Sequence, residues 1–65
     1  MNTARINEIV NMFDYAEKYT MDDIINIQVP SVYFPHKGSV AETLDEALKQ
    51  GLLYYDPQTK LYMKA

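Results

Sequence analysis

The sequence predicts a mainly α domain in which three helices are closed by a C-terminal β-hairpin, and three observations carry that expectation. Apolar residues recur at helical spacing near both ends of residues 3–50, Thr20 and Ser39 each stand three residues before an acid, and two short apolar runs flank an Asp-Pro pair. The 65 residues make one domain, 1–65, near the lower size limit for a core without a metal or disulfide.

Asn2 or Thr3 can cap a first helix, whose apolar positions Ile6, Ile9, Val10, Phe13 and Ala16 follow the three-four spacing of one buried face. Arg5, Asn7, Glu8, Asp14, Glu17 and Lys18 then form a solvated face. Thr20 followed by Asp23 is a cap signature and places a short second helix at about Met21 to Ile27, with Met21, Ile24 and Ile25 inward and Pro30 closing it. The same stretch also alternates as a strand would, Ile25, Ile27 and Val29 against Asn26 and Gln28, so an α+β fold with a strand at about 24–29 is the alternative. Prolines at 30 and 35 exclude a helix between them. Val32, Tyr33 and Phe34 either plug the core from that loop or form a docking patch, and the burial preference of such residues favours the core.

Ser39 with Glu42 reads as a capping box that starts a third helix near Val40, and Val40, Leu44, Ala47 and Leu48 form its apolar stripe. Gly51 is placed to stop it in a left-handed conformation, with Leu52 packing back on the last turn. Leu52–Tyr55 and Leu61–Met63 are the hairpin strands, joined through a turn in which Pro57 fixes φ and the Asp56 carboxylate caps the backbone two residues on. The expected register puts Leu53, Tyr55, Leu61 and Met63 on the core face and Tyr54, Tyr62, Lys60 and Lys64 outside.

Helix, glycine and hairpin together resemble the end of winged helix-turn-helix domains, of the IclR and MarR type, in which a recognition helix runs through Gly-Leu into a two-stranded wing. Leu44, Leu48, Gly51, Leu52, Leu53, Asp56, Pro57, Thr59 and Tyr62 carry the resemblance, over less than half of the chain. It departs at Lys60, where those families carry glycine. The resemblance implies a three-helix winged-helix domain and a regulator that binds a partner through the third helix and the wing.

Composition narrows the partner. Six Lys or Arg against nine Asp or Glu leave a net charge of -3, which argues against a protein devoted to neutralising phosphates. There is no cysteine, His36 is the only histidine, and no nucleophile elbow, P-loop, dinucleotide fingerprint or calcium loop occurs, so neither an enzyme nor a cofactor or metal binder is expected. No run is apolar and long enough to span a bilayer, and MNTARINEIV lacks a signal-peptide core, so a soluble cytoplasmic protein is expected, monomer or homodimer, with no membrane and no small-molecule substrate as partner. The first functional expectation is an adaptor or inhibitor docking on a basic protein surface through Glu42, Asp45, Glu46, Tyr54 and Tyr62, similar in size and charge to small phage or mobile-element products that block host machinery. The alternative is a DNA-binding transcription regulator that contacts duplex DNA through His36, Lys37, Ser39, Lys60 and Lys64.

Overall fold

The computed structural model describes residues 3–65 and orders them α1 (Thr3–Met12), β1 (Lys18–Thr20), α2 (Met21–Gln28), α3 (Lys37–Lys49), β2 (Leu53–Asp56) and β3 (Leu61–Lys64). Three helices thus pack with a three-stranded antiparallel sheet of order β1-β3-β2, an α+β domain.

In α1 the expected stripe is buried at Ile6 and Ile9 and continues into Phe13, while Met12 joins it and Ala16 does not. The helix tightens at its end, where Phe13, Asp14 and Tyr15 each donate to a carbonyl three residues back, so Ala16 falls beyond it and is exposed. Asn2 as a cap lies outside the described residues.

Strand β1 is absent from the sequence expectation, which gave Lys18 to a solvated helix face. Three residues carry too little alternation to reveal a strand, and this one forms because β3 offers an edge: Lys18, Tyr19 and Thr20 face Met63, Tyr62 and Leu61. The Tyr19 hydroxyl donates to the Met12 carbonyl at 3.0 Å and ties the strand to the end of α1.

The cap of α2 is as read. Asp23 N–H donates to Thr20 Oγ1 at 3.1 Å and Thr20 N–H to Asp23 Oδ2 at 3.0 Å. The helix runs to Gln28, so the alternative strand at 24–29 does not form; Ile24 is fully buried, whereas Ile27, which the strand alternative placed on its apolar face, is exposed. The following loop divides the two readings of its aromatic stretch. Phe34 is fully buried, Val32 is 94% exposed and Tyr33 is partly exposed. Ser31 closes the loop, accepting at Oγ from Phe34 N–H and donating its own N–H to Phe34 O.

Helix α3 starts one turn earlier than expected. His36 is the N-cap, without a side-chain cap hydrogen bond, and Ser39 lies inside the first turn, 2% exposed. The Ser39–Glu42 capping box is therefore corrected: Ser39 N–H already donates to His36 O, and a serine inside the helix cannot cap it. The extra turn lets Ser39, Val40, Thr43, Leu44 and Ala47 form one continuous buried stripe, whose burial outweighs the roughly 1 kcal/mol a cap supplies. Thr43 Oγ1 donates to Ser39 O at 2.7 Å, which satisfies a hydroxyl on that stripe.

The helix ends where Gly51 predicts. Gly51 has φ 73°, its N–H donates to Leu48 O, and Leu52 N–H reaches Ala47 O, the paired bonds of a Schellman stop. A Cβ on Gly51 would meet nothing within 4 Å, so the steric clash with the surroundings is absent and only the left-handed backbone resists a side chain. Gly51→Ala is expected to lower stability by about 1 kcal/mol, read as a reduced urea midpoint at unchanged m-value. An unchanged midpoint would show that the helix ends by other means.

The hairpin turn has the expected chemistry and a different register. Asp56 Oδ1 accepts from Gln58 N–H at 2.9 Å and Asp56 O from Lys60 N–H at 2.8 Å, and Lys60 takes φ 60° without being glycine. This turn sets Asp56 opposite Leu61, which pairs Tyr55 with Tyr62, Tyr54 with Met63 and Leu53 with Lys64. Facing residues share a side of the sheet, so Tyr62 goes inward with Leu53 and Tyr55, while Leu61 and Met63 go outward with Tyr54. The expected faces of β3 are thereby exchanged. Tyr62 is 7% exposed and joins Ile9, Phe13, Ile24, Phe34, Val40, Leu44 and Leu53 in the core.

Candidate interaction surface

Burial of residues 39, 40, 43, 44 and 47 turns the opposite face of α3 to solvent, and Glu42 and Asp45 stand on it, with Glu46 half-buried at its margin. The three acids differ in freedom. Asp45 pairs with Lys49 at 3.2 Å one turn on, a bridge so exposed that it stabilises by only a few tenths of a kcal/mol. Glu46 accepts from the Gln50 amide at 3.3 Å, and Glu42 makes no ion pair among the described residues.

The two tyrosines expected to anchor a partner are separated by the register. Tyr54 stays outside, 56% exposed, on the sheet face turned away from α3 and beside Met63. Tyr62 is in the core and cannot be an exposed anchor; its ring lies 4.7 Å from that of Tyr55, inclined at 47°. Burial first, then Tyr55 and the Asp45 carboxylate, pushes the Tyr62 hydroxyl above the usual tyrosine range. Tyr54 thus stands on the sheet face opposite the Tyr55–Tyr62 pair.

The DNA-contact set is also divided. His36 and Lys37 are exposed at the start of α3, and Lys60 is exposed on the turn. Ser39 is buried within the stripe, a correction to its placement as a phosphate contact. Lys64 Nζ donates to Asp14 Oδ1 at 3.0 Å, an exposed bridge that offsets its charge.

A further site was hidden by the missed strand and the shifted register. Between the first turn of α2 and the hairpin turn is a pocket of about 390 Å³ walled by Tyr55 and Tyr62, with Asp22 and Lys60 on it. Only the Tyr-Tyr spacing across the hairpin could have signalled it, and that needs the register first. Among the described residues no three His, Asp or Glu side chains converge as a metal site would require, and no helix is long and apolar enough to cross a membrane.

No family model, no curated protein and no solved structure matches the chain.

Proposed function

We infer that this chain is a winged-helix module without catalytic activity that docks on a basic surface of a partner protein, as an adaptor or an inhibitor. The observation that carries the reading is the solvent face of α3, where Glu42 and Asp45 stand exposed on the helix that would otherwise meet DNA. The passage of α3 through Gly51 into the β2–β3 hairpin supports its role as the recognition helix, with the hairpin as the wing. Carboxylates there repel a polyanion and steer a basic surface, raising association rates at low salt.

Duplex DNA is the second reading, favoured by the exposure of His36 and Lys37 at the start of α3 and of Lys60 on the turn. Titration of labelled random duplex and of a lysine- and arginine-rich peptide, each at two salt concentrations, separates the two. The docking reading expects salt-sensitive peptide binding by the parent and slower association by Glu42→Gln/Asp45→Gln, with duplex affinity raised several-fold as two charges leave that face. Micromolar duplex binding with a steep salt slope and no peptide binding would replace it with the DNA reading.

A further inference from the structure

Both strands of the hairpin are apolar on two faces, and the fold covers only one. An antiparallel sheet with one solvated face alternates apolar with polar residues, whereas Leu61, Tyr62 and Met63 run on without a break, as Leu52, Leu53, Tyr54 and Tyr55 do. Leu53, Tyr55 and Tyr62 pack in or against the core, while Tyr54, Leu61 and Met63 face the other way and stand outside it. Leu52, 40% exposed, adjoins them where Ala65 N–H donates to its carbonyl, one pair beyond the strands. Strand β1 adds Lys18 beside Met63 and Thr20 beside Leu61. The outer face therefore reads Lys18, Met63, Tyr54 along one row and Thr20, Leu61, Asp56 along the next. Its two charges stand at diagonally opposite corners, about 12 Å apart across two strand spacings and one two-residue step.

We propose that this face pairs with the same face of a second copy of the chain about a two-fold axis. Charge complementarity selects that occupant. A two-fold lying between the sheets that exchanges the two corners sets each Lys18 on Asp56 of the other copy and lays Tyr54 and Met63 of the two copies over one another at the centre, with no like charges opposed. Lys18 makes no ion pair among the described residues, and Asp56 uses only Oδ1 to accept from Gln58 N–H. A basic partner or a polyanion meets one charge of each sign here and gains no preference. Glu42 and Asp45 stand on α3, on the other side of the sheet, so the charges that make the chain acidic are not gathered at the contact. Pairing leaves that helix free in both copies, so the proposal stands or falls apart from the docking reading.

The test is a concentration series of isotope-labelled protein followed by its amide resonances, with sedimentation equilibrium to give the mass. Lys18, Tyr54, Leu61 and Met63 are expected to shift together as a dimer forms with a Kd of about 1 mM, weak because a patch of a few hundred Å² falls short of the roughly 800 Å² per partner of a stable complex. Tyr54→Ser should abolish the association and leave the chain folded, since Tyr54 is exposed in the single copy. Lys18→Glu should weaken it about tenfold, because two exposed pairs turn repulsive together. Asp56→Asn in that background keeps the acceptor for Gln58 N–H and should recover part of the loss. A monomer throughout a series reaching several times that Kd would overturn the proposal, as would shifts that map to Glu42 and Asp45, or a Lys18→Glu variant that dimerises as the parent does. Anionic vesicles that shift the same four residues while the free protein stays monomeric would give the face to a lipid surface instead.

Discussion

Phe34→Ala is expected to cost about 3–5 kcal/mol, which in a 65-residue chain with about 3–10 kcal/mol to lose leaves the fold barely populated or unfolded at room temperature. Phe34 is the largest fully buried side chain, and it enters the core from a loop rather than from a helix or strand. The loop closes on itself through Ser31 on either side of the aromatic, so its backbone is poorly placed to follow a truncated side chain inward. A cavity therefore persists, and the transfer and cavity terms add. Val32→Ala, on the same loop but 94% exposed, is the matched control and should change stability by less than about 0.5 kcal/mol. The check is the urea midpoint of each variant. A mild Phe34→Ala phenotype would mean that the loop does not plug the core, returning its aromatics to the surface as a docking patch.

What could be read from the residues follows how local each determinant is. The Thr20–Asp23 cap, the Gly51 stop and the Asp56 turn are set by contacts within about five residues, and each forms as its sequence signature says. Phe34 followed from general burial preference, though nothing in the stretch separated it from Val32 two residues earlier. The errors came where a distant partner decides. Ser39 and Glu42 carry a valid cap signature, but the start of α3 answers to the stripe it buries, and Ser39 belongs to that stripe. Lys18–Thr20 is a strand only because β3 lies beside it. The faces of β3 turned on a single residue of register, to which apolar alternation is blind when Leu61, Tyr62 and Met63 are all apolar. That slip moved Tyr62 from the presumed binding surface into the core. The acids of α3 remained legible as a solvent face, because helical period alone places Glu42 and Asp45 opposite Val40, Leu44 and Ala47.

Tyr62 offers the test of that register and has the second large expected effect. With the ring 7% exposed and packed on Tyr55, Tyr62→Ala should cost about 3–5 kcal/mol, whereas Met63→Ala, on the half-buried outer side of the sheet, should cost clearly less. The opposite ranking would restore the register in which Leu61 and Met63 face inward. Tyr62→Phe keeps the packing and deletes only a hydroxyl without a hydrogen-bond partner among the described residues, so at neutral pH it should change stability by less than about 1 kcal/mol. Its signature is alkaline. Burial, Tyr55 and Asp45 raise the Tyr62 pKa in the folded chain above its unfolded value of 10.0, so between the two values the folded state holds a proton that the unfolded state has lost. The contribution is fully present below the unfolded pKa and is lost as pH rises through the folded one. Melting temperatures measured from neutral pH into the tyrosine titration range should accordingly fall less steeply for Tyr62→Phe than for the parent. Parallel curves would mean that the hydroxyl ionises as freely in the fold as outside it, contrary to a Tyr62 buried against Tyr55.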